Sequence, residues 1–224
     1  MNDEQPFLNS LELLRPDFFD GNAEAIAKRL IGVFLIVDHG IGFPAGGKII
    51  ETEAYDEDDP ASHCYRGFNY EPQHKSRPML LRGGNAYVYA ECCLNFVCGE
   101  KGFGSAVLLR SLVPIWGKEA MRIRQVPYDL EAANDDRRLC SGPQRLGAAL
   151  GVTYKHNEAS LFAAPFRLYE RLTEPRIAIR PRVRVKKFIE GNRSALPEEL
   201  KEKAVKRLLR FVDEAEGEYV SDVF

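Results

Sequence analysis

The sequence lacks any apolar run long enough to cross a bilayer, and its start, Met1-Asn2-Asp3-Glu4-Gln5, is acidic where a secretory leader would be basic and then apolar. These absences predict an intracellular, cytoplasmic protein with no membrane partner. The chain also lacks a C-x-x-C pair. Its five cysteines, Cys64, Cys92, Cys93, Cys98 and Cys140, are odd in number and irregularly spaced, which suits reduced thiols and not a disulfide framework. Cys64, Cys92 and Cys93 lack zinc-ligand spacing with His63 or His74, so no metal and no cofactor are expected. No internal repeat, low-complexity segment or Pro/Ser linker interrupts the chain. With 224 residues, 45% of them hydrophobic, one domain spanning 1–224 can bury one substantial core.

Net charge is also nearly absent, at −2, but the average hides a segregation. Residues 101–187 carry 17 Lys+Arg against 8 Asp+Glu, a local +9, which leaves 14 against 25, or −11, for the remainder. One basic surface is possible on this count, as is an ordinary mixed surface.

What the chain does contain is a pair of acids inside a strand-like run, Lys48-Ile49-Ile50-Glu51-Thr52-Glu53-Ala54-Tyr55, which follows a glycine-rich turn from Gly42 to Gly47. Strand alternation puts Glu51, Glu53 and Tyr55 on one face and Ile50, Thr52 and Ala54 on the other. Two carboxylates at i and i+2 lie about 7 Å apart, where each charge raises the other's pKa. Such a pair either faces solvent, binds arginines, or supplies a proton acceptor near neutral pH.

Around that strand, Asn22 caps a helix through Ala23 to Ile31 with Gly32 as its stop, and Val33 to Val37 reads as a buried strand forming a hairpin with the acidic one. Asp56 to His63 is an acidic loop that either starts a helix or is solvated. Ala86-Tyr87-Val88-Tyr89 and Leu94 to Cys98 read as strands, with Tyr87 and Tyr89 on one face. Asn95, polar inside an apolar strand, is either a satisfied core amide or a recognition group. Ala106 to Leu112 is the most strand-like run and carries one cation, Arg110. A buried arginine needs an anion, and Glu51 and Glu53 are the unmatched acids.

Further on, Lys118 to Arg124 is helical, and Leu139 to Leu146 is a loop entering a helix with Pro143 in its first turn. From Arg176 to Lys187, Arg180, Arg182, Arg184 and Lys186 alternate with Ile179, Pro181, Val183 and Val185. This pattern predicts a strand with one cationic face, suited to phosphates or to guarding a sheet edge. An apolar stripe of Leu200, Ala204, Val205, Leu208, Phe211, Val212 and Ala215 predicts an amphipathic helix over about 197–217.

Six blocks, in order, resemble the alkyladenine (3-methyladenine) DNA glycosylases of the mammalian type: Ile50-Glu51-Thr52-Glu53-Ala54-Tyr55, Asp59-Pro60-Ala61-Ser62-His63, Ala86-Tyr87-Val88-Tyr89, Cys93-Leu94-Asn95, Val107-Leu108-Leu109-Arg110 and Ser141-Gly142-Pro143. Arg176-Ile177 and Phe188 to Asn192 match more weakly, and the similarity covers most of residues 23–192. The resemblance implies an α+β fold: a single mixed domain whose curved antiparallel sheet is surrounded by helices. It also implies a hydrolase of N-glycosyl bonds acting on damaged bases rotated out of duplex DNA; no lysine stands beside Glu53 in the motif, so a monofunctional enzyme without a Schiff base is expected, and a monomer. Carried over by position, Glu53 activates water and Arg110 helps hold it. Tyr55, His63, Tyr89 and Leu108 wall the base pocket, and Asn95 crowds the exocyclic amine of guanine. Arg145 and the Arg180, Arg182, Arg184, Lys186 set are the expected DNA contacts.

The residue chemistry agrees. Hydrolysis of an N-glycosidic bond needs a carboxylate near the anomeric carbon, and a cationic alkylated purine gains about 0.5–2 kcal/mol by stacking on tyrosines. The chain departs from the family where a longer hairpin, with a Tyr-Gly-Met tip that wedges into the duplex, would follow Tyr89. Here only Ala90-Glu91-Cys92 intervenes, with an acid where phosphates would lie. The departure leaves two other readings open: a binding module with little activity, and a hydrolase of single-stranded or free modified nucleosides.

Overall fold

The computed structural model describes residues 11–40, 42–67 and 75–221. The acidic N-terminal segment, His74 and most of the polar run from Phe68 to Arg77 lie outside the described residues. Asn22 caps helix α1 (Ala23–Leu30), its Oδ1 accepting from the Ala25 N–H at 2.8 Å, and Gly32 at φ +90° turns the chain out of it. Strand β1 (Phe34–Val37) then forms an antiparallel hairpin with β2 (Ala45–Asp56), as the alternation of apolar runs predicts.

Strand β2 organises the sheet. Along its length it pairs with β5 (Ser105–Trp116); its first half also pairs with β1 and its second half with β8 (Arg210–Asp213). Strands β3 (Ala86–Tyr89) and β4 (Cys93–Val97) extend the sheet beyond β5, β6 (Phe166–Tyr169) lies outside β1, and β7 (Ile177–Arg180) pairs with β8. Every pairing between these eight strands is antiparallel, and the sheet does not close into a barrel. The start of β2 can thread between two neighbours because it lacks side chains there: a Cβ on Gly47 would stand 1.9 Å from the Val113 carbonyl oxygen.

Two irregularities in the β2–β5 register shape the site. Ile49 faces Leu112, Glu51 faces Ser111 and Thr52 faces Leu109, so Ile50 on one strand and Arg110 on the other are left without a counterpart. Such bulges bend the sheet and re-aim side chains. They also flip the alternation: Ile49, and not Ile50 as strict alternation predicts, joins Ala54, Leu109 and Leu112 in the main core. Beyond the bulge the predicted faces hold. Thr52 donates to the Ala27 carbonyl of α1 at 2.9 Å, while Glu51, Glu53 and Tyr55 point to the other side.

Helices α2 (Lys118–Gln125), α3 (Leu130–Ala133), α4 (Asp136–Leu139) and α5 (Pro143–Leu150) follow β5. Pro143 opens α5 as predicted. Gly147 lets the helix press on the β3–β4 hairpin, since a Cβ there would meet the Cys92 carbonyl oxygen at 1.9 Å. The five cysteines are buried free thiols.

Two sequence expectations are corrected. The segment from Arg176 to Lys187 is not one strand. It leaves the sheet after Arg180, reaches a left-handed Arg184 (φ +60°) and enters helix α6 (Val185–Asn192), so its cations do not share a face. The helix expected over 197–217 is broken: only Glu198–Lys206 is α-helical (α7), and a short 3-10 helix stands at Glu214–Tyr219. Residues 210–213 form β8, and Leu208 of the supposed apolar stripe is half exposed. Pairing with the central strand outweighs local helical periodicity there.

Candidate active site

The acids predicted to seek a cation have found one. Arg110 donates from Nε to Glu51 Oε1 at 2.8 Å and from Nη1 to Glu53 Oε2 at 3.3 Å. Both carboxylates and the guanidinium are removed from bulk solvent. Glu51 is saturated: it also accepts from Arg210 Nε (2.6 Å), Ser111 Oγ (3.0 Å), and the Ser221 N–H and Oγ (2.7 and 2.8 Å). Burial pushes its carboxyl upward, but Arg110, Arg210 and the Ser221 bonds together hold it below the ordinary value of 4.5. The mutual elevation expected from the spacing of the two acids is therefore reversed at Glu51. Two carboxylates and two guanidinium groups leave the cluster with no net charge.

Glu53 is placed differently. Its Oε1 accepts the Val183 N–H at 2.6 Å, and its Oε2 accepts from the Tyr55 hydroxyl at 2.9 Å as well as from Arg110. An ionised carboxylate offers about four acceptor positions, so three bonds leave one open. Burial, followed by the adjacent Glu53 charge, keeps the Tyr55 phenol well above its ordinary pKa and therefore protonated, able to donate. Arg110, although penalised by burial, is held firmly charged by Glu53 and Glu51.

Beside this floor lies a pocket of about 190 Å³, lined by Tyr55, His63, Tyr89, Asn95 and Leu108, all expected from the sequence, and by Phe188. It is smaller than the roughly 300–1,000 Å³ typical of drug-sized ligand sites, a size suited to a single ring system. His63 meets Tyr89 edge-to-face with centroids 4.7 Å apart, Tyr89 stacks beside Tyr87 at 6.0 Å, and His63 Nδ1 is 2.9 Å from the Tyr87 hydroxyl. Asn95 directs its amide nitrogen to the Tyr87 and Cys93 carbonyls, both at 3.1 Å, which assigns the carbonyl oxygen to the remaining side of the amide.

The pocket opens into a cleft of about 650 Å³, lined by Glu53, Arg110, Tyr55, Tyr89 and Leu108, by the Ala90–Cys92 turn, and by Ser141 to Arg145 and Tyr128. Glu53 lines the cleft, and Tyr55, whose hydroxyl donates to it, lines both cleft and slot. The β3–β4 turn is as short as the sequence indicates, and both Ala90 (φ +45°) and Glu91 (φ +73°) adopt the left-handed conformation that L residues rarely take.

The expected DNA contacts divide. Arg184 is exposed and lines both slot and cleft, while Arg180 and Lys186 are exposed on the surface. Arg145 lines the cleft, but Asp129 already matches its charge at 2.7 Å. Arg182 is the clear correction. Its side chain is wholly buried, ion-paired with Asp59, bonded to the Ala54 carbonyl at 2.9 Å, and lies 4.6 Å from the centroid of the Tyr55 ring. Asp59, in the acidic loop that the sequence reads as either a helix start or solvated, is equally buried and accepts from the Ala61 N–H at 2.9 Å. Sequence reasoning missed the Val183 N–H and the Arg210 and Ser221 contacts. Backbone donors carry no sequence signature, and the other two stand about 160–170 residues from the acid they bind.

Comparison with known proteins meets this geometry at the family level. The family model described as methylpurine-DNA glycosylase (MPG) matches residues 17–213. The chain belongs to that family. It is 41% identical over 181 residues to a protein of Rhodopseudomonas palustris, covering 79% of this chain and 83% of the relative. It is 38% identical over 173 residues to one of Nitrosospira multiformis (75% and 82%), and 39% identical over 178 residues to one of Rhizobium meliloti (78% and 86%). All three relatives are provisionally named 3-methyladenine DNA glycosylases.

Proposed function

We propose that this protein removes alkylated or deaminated purines from DNA, with Glu53 as the general base that activates water. Membership of the methylpurine-DNA glycosylase family makes it a DNA glycosylase of base-excision repair, a hydrolase of N-glycosyl bonds whose substrate partner is DNA. The observation that carries the residue assignment is the position and bonding of Glu53: a buried carboxylate lining the open cleft and bonded to Tyr55, a wall of the adjoining aromatic slot, with one acceptor site left over.

A base seated between Tyr55, His63 and Tyr89 leaves its sugar at the mouth of the slot, over Glu53. Water held there by the free acceptor position and by Arg110 gives its proton to Glu53 as its oxygen attacks the anomeric carbon. The carboxylate also stabilises the oxocarbenium-like charge that develops as the base departs. Tyr55 and Tyr89 stack on the base and favour a cationic alkylated purine. The Asn95 side chain crowds a guanine amino group. Arg184, at the rim of both cavities, and the exposed Arg180 and Lys186 meet the backbone phosphates.

A second reading, hydrolysis in single-stranded DNA or free modified nucleosides, is favoured by the short hairpin ending on Glu91, which offers no apolar plug for the gap left by a flipped base. Duplex and single-stranded oligonucleotides bearing 1,N6-ethenoadenine, hypoxanthine or 3-methyladenine, scored for abasic sites, separate the two readings. Release from the duplex that weakens steeply with salt supports the first; release only from single strands supports the second.

A further inference from the structure

Glu53 is held in part by Arg110, and Arg110 is itself held by a residue far along the chain. Ser221 lies beyond residue 213, where the family match ends, yet it lines the active-site cleft and is 4% exposed. The segment carrying it is pinned on both sides: Ser141 Oγ donates to the Val220 carbonyl at 3.1 Å, and the Ser221 N–H donates to Glu51 Oε2 at 2.7 Å.

We infer that Ser221 is a positioning residue for base release, a C-terminal latch that fixes the plane of the Arg110 guanidinium so that Nη1 reaches Glu53. This inference rests on the reading of Glu53 as the base. The hydroxyl has one proton and two lone pairs, and all are used: it donates to Glu51 Oε1 at 2.8 Å and accepts from Arg110 Nη2 at 2.7 Å and Nε at 3.2 Å. Ser221 is the partner of Nη2, Glu51 holds Nε, and Nη1 makes the longest bond of the set, 3.3 Å, to Glu53. Without the hydroxyl, Nη2 loses its acceptor and the guanidinium is anchored mainly at the Glu51 end. Rotation about that anchor moves Nη1 away from the carboxylate it must orient. The loss falls on chemistry and not on substrate capture, since Ser221 lies outside the base slot and its hydroxyl, although at the cleft, spends its proton and both lone pairs on Glu51 and Arg110.

The test uses the full chain with Ser221→Ala, Ser221→Thr and Glu53→Gln, assayed by single-turnover release of hypoxanthine from a duplex oligonucleotide well below the melting temperature of each protein. Ser221→Ala is expected to slow release by about 10- to 100-fold, in line with the cost of a roughly 1 Å misplacement. The half-saturating enzyme concentration should stay unchanged, and Ser221→Thr, which keeps the hydroxyl, should recover most of the rate. Ser221→Ala at full rate beside an inactive Glu53→Gln overturns the latch alone. Ser221→Thr as slow as Ser221→Ala overturns it too, because the hydroxyl would not be what matters. An active Glu53→Gln overturns the reading of Glu53 on which the latch depends.

Discussion

Two buried arginines, Arg110 and Arg182, serve the same small pocket, and the contrast between them separates chemistry from scaffolding. Each is paired with carboxylate and each touches the Tyr55 region: Arg110 bonds Glu53, which accepts from the Tyr55 hydroxyl, while Arg182 packs on the Tyr55 ring. The Arg110 cluster opens on the cleft through Glu53, Arg110 itself and Ser221, and leaves an acceptor position unfilled. The Arg182 cluster does not open. Asp59 and Arg182 are buried and line neither cavity: Arg182 bonds Asp59, Ala54 and Ala204, while Asp59 also accepts from the Ala61 N–H and lies 3.6 Å from Arg207 Nη1. A buried ion pair therefore marks function only where it retains an unspent bond facing space that a ligand can enter.

Exchanging each arginine for alanine should break the comparison most strongly. Removing one partner of a buried pair costs about 3–5 kcal/mol because the other charge is stranded. Arg182→Ala leaves Asp59 only the longer pair with Arg207 at 3.6 Å and should therefore lower unfolding stability by about 3 kcal/mol, the low end of that range, as read by urea denaturation, while protein that remains folded still releases bases. Arg110→Ala also strands charge, although Arg210 continues to cover Glu51. Its larger effect should be on release, which is expected to fall by at least about 100-fold, the scale on which a single oriented donor contributes. A folded, fully active Arg110→Ala, or a stable Arg182→Ala that fails to bind DNA, would reverse the assignments.

The acid side of the stability curve sharpens the same contrast. Glu51 is held below its ordinary pKa of 4.5 despite burial, by Arg110, Arg210 and Ser221. Its folded-state value lies below its unfolded one, so its contribution to stability is complete above about pH 4.5 and is lost as the pH falls through the depressed value. Urea unfolding between about pH 3 and 7 should show this decline, and Glu51→Gln should flatten it while lowering stability at neutral pH. A wild-type profile without acid-side loss would mean that the carboxylate is not charged in the fold.

Much of this site was legible from period alone. Glu51, Glu53 and Tyr55 on one face follow from alternation, and the demand of Arg110 for an anion follows from its position inside an apolar strand. What resisted reading depends on partners distant in sequence. The bulges at Ile50 and Arg110 exist only in the register between two strands. Phe211 and Val212 fit a helical stripe until the second half of β2 supplies a ladder for them. The alternation of Arg180, Arg182, Arg184 and Lys186 imitates a strand because Pro181 and the left-handed turn at Arg184 leave the periodicity of the letters untouched while redirecting the chain.

The smallest expected effect tests that misread segment. Arg182 and Arg184 would be equivalent on a strand, but one is sealed beneath Tyr55 and the other stands exposed at the rim of slot and cleft. If Arg184 meets a phosphate, Arg184→Ala should weaken duplex binding modestly and about equally for all sequences, and should reduce the slope of log K against log salt by about one. The lesion preference should not move, because a phosphate contact carries no base information. A change in preference with an unaltered salt slope would instead make Arg184 part of the base slot, and the exposed member of the pair would then join Tyr55 and His63 as a reader of the lesion.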